Sequence, residues 1–242
     1  MMELKAWKDA WVIFKKDLYT DRMYLIWNAI FMIYSGAMFS FMLYSVDHAE
    51  TNIHPMADYL MLMMVPMIGF FFSRRSFNYL KEDSYTQMLR YYRMLPIPVK
   101  TVMKSRYIQL VITIIFNGII FFSTIFFVFI IFNKDMSVTQ YIAFAITWIG
   151  YALCINGLYI YLEFLKRGKI YFWLSMVLML GMVVLTFVVA VLRSNLVKYT
   201  MDLSVRYALL SPIMWGTLLV GVLLLYLTGL LTTRKLTDRD LV

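Results

Sequence analysis

The residues of this chain that could do chemistry are few, and they form no catalytic pattern. Neither the HExxH pattern of zinc proteases nor the GxSxG turn of serine hydrolases occurs. The one Gly-Lys pair is Gly168–Lys169, and Glu163 stands where a phosphate-binding loop would need its first glycine. We therefore expect no enzymatic activity from this chain, and any ATP that it uses must bind to another polypeptide.

Metal-binding side chains are also sparse. Asp47, His48, Glu50 and His54 share one short segment, but their spacing matches no ligand motif, so a solvated loop is expected there. Cys154 is the only cysteine, which excludes an internal disulfide and any site built from several thiolates. The sequence thus predicts neither a metal nor a cofactor bound directly to the chain.

Most of the chain is apolar. Of its 242 residues, 62% are hydrophobic and only 15% are charged, whereas soluble domains are about 45–50% apolar and about 25% charged. A helix needs about 20 residues to cross the hydrocarbon core of a bilayer. We predict six spans, at residues 23–45, 57–73, 107–132, 138–162, 170–192 and 212–231. The predicted fold is an all-α integral membrane protein, with residues 1–242 forming a single transmembrane domain.

Positive charge sorts by side of the membrane. A formal net charge of +9 would suggest a nucleic-acid partner for a soluble protein, but we expect none here. Residues 1–22, 74–106, 164–169 and 232–242 hold 19 of the 23 Lys and Arg, and the alternate segments hold four. Because cytoplasmic loops carry the excess of Lys and Arg, both termini are predicted to be cytoplasmic.

Three asparagines lie inside predicted spans: Asn28, Asn117 and Asn156. An amide is costly in lipid, so each side chain should face the protein interior. Two interpretations remain open. The asparagines could line a cavity on a substrate path, or they could form hydrogen bonds between helices, worth about 0.6 kcal/mol each on average.

Two helices are expected outside the spans. In residues 1–21, apolar residues recur at steps of three and four with lysines between them, a pattern typical of an amphipathic helix in the inner headgroup layer. Residues 193–211 form the longest outer segment, and their mixed polarity allows a short re-entrant or surface helix.

Residues 74–106 form the one long polar passage and carry eight Lys and Arg. We predict that residues 74–95 continue the second span as a helix beyond the membrane surface. This helix must end at Leu95-Pro96-Ile97-Pro98, because proline denies a backbone donor and forces the preceding residue to be extended. A second helix then begins at Pro98 and runs into the third span. The passage should present an apolar corner at residues 94–97 that suits the groove of a partner protein.

This arrangement resembles an ABC type-2 exporter permease. The similarity rests on six spans with both ends inside, the amphipathic helix before the first span, and the run from Arg93 to Arg106, similar to that family's Leu-Pro passage after its second span. Asp83-Ser84 followed by Met88-Leu89 is similar to the acidic and leucine run that precedes that passage. Pro98 departs from the family pattern, which has a polar residue there.

The resemblance implies a function and a set of partners. In that family the first cytoplasmic loop is a coupling helix on an ATPase subunit, which holds ATP and Mg²⁺, and two permeases assemble with two ATPases. It implies that the ATPase is contacted by Glu82, Asp83, Tyr85, Arg90, Arg93, Leu95 and Pro96. The cargo class would be an amphipathic or hydrophobic peptide, toxin, drug or lipid, and exporters of phenol-soluble modulin peptides are one candidate likeness. The implied location is a bacterial plasma membrane. The implied neighbours there are lipid and a second permease, which is either another copy of this chain or a paralogue.

An alternative is an ion-coupled secondary transporter. Three spans in each half, beginning on opposite sides, is the topology of an inverted repeat. Against this interpretation, the two halves show no internal similarity, and no ionisable residue lies in mid-span to couple an ion.

Overall fold

The computed structural model describes residues 2–47, 55–95, 97–131 and 136–238, and these ranges contain helices and no strand. The helices are α1 (Met2–Thr20), α2 (Arg22–Asp47), α3 (Pro55–Met67), α4 (Arg74–Glu82), α5 (Ser84–Met94), α6 (Val99–Ile131), α7 (Val138–Leu165), α8 (Gly168–Val191), α9 (Leu196–Tyr207) and α10 (Pro212–Asp238). A short 3₁₀ turn at Ala208–Leu210 joins α9 to α10. The predicted all-α fold is thereby confirmed.

In the described part of the chain, five helices are long and apolar enough to cross a membrane: α2, α6, α7, α8 and α10. Each overlaps one predicted span. The predicted second span, 57–73, is not matched by a helix long enough to cross the membrane. Helix α3 has only 13 residues and extends for about 20 Å, which is short of the roughly 30 Å hydrocarbon core. Residues 68–73 are not helical. The count of six spans and the side on which each terminus lies stay predictions.

The continuous helix predicted for residues 74–95 is wrong. The chain forms two helices, α4 and α5, that meet at Asp83. Asp83 has φ 47° and ψ 46°, in the left-handed region that stops a right-handed helix. The predicted end before the two prolines is right, since α5 ends at Met94 and α6 begins at Val99 and continues into the third predicted span.

The tightest helix pair is α7 against α10. Gly150 on α7 faces the backbone of Thr217 and Leu218, and a Cβ built on Gly150 would lie 2.6 Å from the Thr217 carbonyl carbon. Gly221 on α10 faces the Gly150 carbonyl in return. Small residues at such contacts let helix backbones approach closely in a membrane protein.

The two helices outside the predicted spans flank this bundle. Helix α1 packs on α6 and buries Ala10 and Phe14, while Trp7 and Trp11 are exposed. The residues 193–211 do contain a helix, α9, as their mixed polarity suggested. Its first turn is held by Asp58, whose carboxylate accepts hydrogen bonds from the backbone N–H groups of Leu196 and Val197 at 2.8 and 2.9 Å.

Candidate partner-docking surface

The non-helical residues between α3 and α4 leave backbone groups without helical partners inside the fold. Asn117 on α6 donates from Nδ2 to the carbonyl oxygens of Ile68 and Phe70, at 3.0 and 3.1 Å. Asn28 on α2 does the opposite, because its Oδ1 accepts from the Phe72 N–H at 3.3 Å. Unpaired backbone groups cost several kcal/mol in lipid, so these amides stabilise the break in the helix.

The third asparagine acts on the last turn of α3. Asn156 on α7 donates from Nδ2 to the carbonyl oxygen of Pro66 at 2.9 Å, and also to that of Ala152 at 2.8 Å. Gly69 lies against the same amide so closely that a Cβ would overlap it. All three asparagines therefore lie around the break between α3 and α4 and form hydrogen bonds between helices. Their place on a substrate path stays a prediction.

Beyond the break, α4 begins at a capped N-terminus fixed to α1. Ser73 is the N-cap, and its hydroxyl accepts from the Ser76 N–H. Arg75 donates through both terminal guanidinium nitrogens to the two Asp17 oxygens, each at 3.0 Å. Burial lowers the pKa of Arg75, but the hydrogen bonds and charge of Asp17 outweigh that effect and raise it. This bidentate pair holds α4 on α1.

The turn between α4 and α5 is fixed to α8. Oδ1 of Asp83 accepts from the backbone N–H of Gly168, the first residue of α8, at 2.8 Å. Aspartate tolerates a left-handed backbone better than most residues, and here its carboxylate is bonded to a residue 85 positions away. Asp83 therefore does two things, since it turns the chain and caps the N-terminal end of α8.

A cluster of four tyrosines lies beneath this turn: Tyr79, Tyr85, Tyr159 and Tyr171. The Tyr171 ring stands edge-on to Tyr79 at 5.2 Å between centroids and edge-on to Tyr85 at 5.9 Å. Burial is the main cause that raises the pKa of Tyr85 far above its usual value, with the Glu163 charge adding to it. The cluster packs α4 and α5 on α7 and α8 by aromatic contacts.

A buried ion pair completes the connection. Arg106 on α6 donates to Oε2 of Glu163 on α7 at 2.8 Å, and their side chains are only 13% and 5% exposed. Such a pair is worth little against an apolar alternative, but removing one partner leaves a buried charge unpaired. The pair thus fixes the angle between the ends of α6 and α7 next to the tyrosine cluster.

The outward face of α5 ends in an exposed apolar corner. Met94 is 77% exposed and Leu95 is 38% exposed. Just before them, the Arg93 guanidinium donates to the carbonyl oxygen of Leu236 near the end of α10, at 2.7 Å. A polar, well-anchored helix pair thus ends in apolar side chains without cover in the described part of the molecule.

Comparison with known families decides the class of this protein. The sequence model of a family described as ABC-2 family transporter protein matches residues 13–236, nearly the whole chain. The chain belongs to this family. As its permease component, it is a multi-pass membrane protein and not the ATPase itself. Neither the search of curated proteins nor the search of solved structures gave a match.

The permease does not expose all the residues that the resemblance implied. Glu82, Arg90 and Leu95 lie at the surface of α4–α5. Tyr85 is 8% exposed within the tyrosine cluster, so it supports the surface from within. Asp83 and Arg93 are engaged with Gly168 and Leu236.

Some of the residues named from the sequence lie outside the described residues. They are Pro96, an expected ATPase contact, and the loop residues His48, Glu50 and His54. Across the ranges that the structure does describe, no three His, Cys, Asp or Glu side chains come together as a metal site.

The permease also uses residues that the sequence analysis did not assign to this surface. Asp17, Arg75, Arg106, Glu163 and Gly168 hold α4–α5 in place. Arg75, Arg106 and Glu163 all lie at predicted ends of spans, where charged side chains can reach the interface, so the sequence does not indicate that they are paired. The partner of Arg75 lies 58 positions away, and nothing in the local sequence pattern indicates it.

Proposed function

We propose that this permease is driven by a separate ATP-binding subunit that docks on the surface formed by α4, α5 and the corner at Met94–Leu95. The observation that carries the proposal is that the α4–α5 pair, which bears this exposed corner, is anchored to four other helices. Arg75 joins it to α1, Asp83 to α8, Arg93 to α10, and the tyrosine cluster to α7 and α8. A surface that only packed loosely could not pass a displacement on to the spans.

The broken segment between α3 and α4 supports a route for that displacement. Residues 68–73 connect directly to α4, and their backbone is bonded to Asn28 on α2 and Asn117 on α6. Asn156 on α7 is bonded to Pro66, in the turn of α3 just before them. A push on α4 would therefore reach three spans at once. ATP on the partner changes the equilibrium only if it binds the two states of the transporter with different affinity.

The proposed direction is export, and the proposed cargo is an amphipathic or hydrophobic peptide, toxin, drug or lipid. A cavity of about 190 Å³ between α3, α4, α7 and α8 is lined largely by methionine and aromatic side chains, including Met63, Met179 and Phe70. Methionine adapts its shape to irregular apolar surfaces.

We further propose that a second permease copy completes the transporter. Each copy has six spans with both termini in the cytoplasm, and the transporter lies in the plasma membrane of a bacterium.

Co-purification tests the partner. We expect a phosphate-binding-loop ATPase to be recovered with the permease from its own membranes in mild detergent. The double variant Met94→Asp/Leu95→Asp puts two charges on the corner and should reduce that recovery roughly tenfold or more, since each apolar contact is worth about 1.5–3 kcal/mol.

The matched control is Leu209→Asp/Leu210→Asp, two exposed leucines at the other end of the molecule. This control should leave recovery unchanged. A permease recovered alone from cells that express such an ATPase would contradict the proposal and favour the secondary transporter. Equal loss in both variants would show that the corner is not the docking surface.

A further inference from the structure

One flank of α1, on the side turned away from α5, carries two tryptophans and two lysines. Helix α1 packs on α6 through a face that contains Phe14. On one side of that face, Lys16 lies over the Tyr91 ring of α5, at 5.4 Å from the ring centroid. At about 3.6 residues per turn, the other side is formed by Trp7, Lys8, Trp11 and Lys15, all of which are exposed. This flank is therefore open and does not belong to the docking surface of α4 and α5.

Lys104 extends this flank onto α6. Its ammonium group lies over the Trp7 ring, 4.9 Å from the ring centroid, which places it beside the end of α1 that carries Lys8. The predicted third span begins three residues after Lys104, about 4.5 Å further along the helix. The headgroup layer is roughly 5–8 Å thick on each side of the hydrocarbon core. This end of the flank therefore lies at the depth of lipid headgroups.

The charge on this flank is positive and unopposed. Lys8 and Lys15 lie on one face, seven residues and about 10 Å apart. Among the side chains that the structure describes, no carboxylate forms an ion pair with Lys8, Lys15 or Lys104. Asp17 is paired with an arginine of α4, and Asp9 lies about 100° round the helix from Lys8. The flank thus offers three ammonium groups to a negatively charged ligand.

We propose that this flank binds the headgroup of an anionic phospholipid in the cytoplasmic leaflet. Lys8, Lys15 and Lys104 attract its net negative charge, which a zwitterionic lipid lacks. Trp7 and Trp11 lie beside the headgroup, as tryptophans commonly do at a membrane interface. The bound lipid holds α1 and α6 together on the side opposite to α5. An acidic protein segment would match the charge, but it gives no reason for exposed tryptophans at headgroup depth.

The test measures which lipid the permease retains. The purified permease in detergent is equilibrated with equal amounts of phosphatidylglycerol, which is anionic, and phosphatidylcholine with the same acyl chains, which is zwitterionic. The permease is then re-isolated, and the retained lipids are quantified by mass spectrometry. We expect phosphatidylglycerol to be retained in excess, and this excess should shrink roughly fivefold for each lysine of the flank that is removed.

Substitution of the three lysines locates the site. Lys8→Gln/Lys15→Gln/Lys104→Gln should remove most of the preference for phosphatidylglycerol. Lys8→Arg/Lys15→Arg/Lys104→Arg keeps the charge and should keep the preference. Size-exclusion chromatography shows that each variant is folded before its lipids are measured.

The matched control removes the same charge from three other exposed lysines at the same end of the molecule, in Lys166→Gln/Lys169→Gln/Lys235→Gln. Lys235 lies over the Tyr161 ring at 5.3 Å from its centroid, much as Lys104 lies over a tryptophan ring. The control therefore also removes one contact between a lysine and an aromatic ring. It should leave most of the preference in place.

Three results would overturn the proposal. The unchanged permease could retain both lipids equally. The control could lower the preference as much as the triple glutamine variant, which would show attraction by net charge alone. The triple glutamine variant could retain phosphatidylglycerol normally and lose its ATPase, which would assign the flank to an acidic protein surface. The lipid measurements need no ATPase, so a failure of this proposal is distinguishable from a failure of the proposed function.

Discussion

At the scale of single residues, the side-chain amide is the group that this fold depends on most. A broken helix in a membrane leaves both N–H and C=O groups unpaired, and a side-chain amide offers a donor and an acceptor without a charge. Asn117 and Asn156 use the donor, and Asn28 uses the acceptor. An ionised carboxylate could only accept at these positions, and it would bring a charge into the apolar interior.

Gly69 should tolerate no side chain. Gly69→Ala places a methyl group in the Asn156 amide, which is held by two hydrogen bonds. Relief requires the amide to leave Pro66 or the segment to shift, so we expect a loss of roughly 1–3 kcal/mol of stability. The measurement is the midpoint of thermal unfolding in detergent, followed by size-exclusion chromatography.

Gly181→Ala provides the control for this substitution. Gly181 is on α8, and nothing lies within 4 Å of a Cβ built there. In a helix that change is neutral or stabilising by up to about 1 kcal/mol. A Gly69→Ala variant as stable as Gly181→Ala would show that the amide does not lie against residue 69.

Sequence reasoning at this scale could identify the residues but not their partners. Each asparagine is conspicuous in an apolar segment, and an inward orientation follows from the cost of an amide in lipid. Their common target, residues 66–72, is separated by 44 or more positions from each of them. Only the folded arrangement of α2, α6 and α7 brings them to one place.

At the scale of elements, α3, α4 and α5 take the place of one long helix. The two prolines at 96 and 98 correctly predicted where α5 ends. The turn at Asp83 could not be predicted in the same way, because its left-handed backbone is stabilised by a hydrogen bond from Gly168, which is 85 positions away. The tolerance of aspartate for this backbone is a local property, but the bond to Gly168 is set only by the folded arrangement.

The ion pair between α6 and α7 should behave as a unit. Arg106→Met or Glu163→Leu alone leaves the other charge buried, and we expect a loss of about 3–5 kcal/mol. Changing both, to Met and Leu, should cost far less, because no charge then remains buried. Unfolding midpoints of the three variants in detergent form the double-mutant cycle. Additive losses in the double variant would mean that the two side chains do not interact.

At the scale of the whole molecule, the two ends of the bundle differ in character. One end carries α4, α5, the tyrosine cluster and the Gly168 end of α8. The other end of α8, about 36 Å away along its 24 residues, leads into α9 and the turn with Leu210. The excess of Lys and Arg on the first end is what the sequence predicted for a cytoplasmic face.

The most direct test of the central claim is photo-crosslinking in intact membranes. A photoreactive amino acid at Met94, and separately at Leu210, reports which protein touches each end. We predict an adduct between position 94 and a nucleotide-binding subunit, identified by mass spectrometry, and no such adduct from position 210. An ATPase adduct from position 210 alone, or none from either position in cells that express the ATPase, would contradict the account.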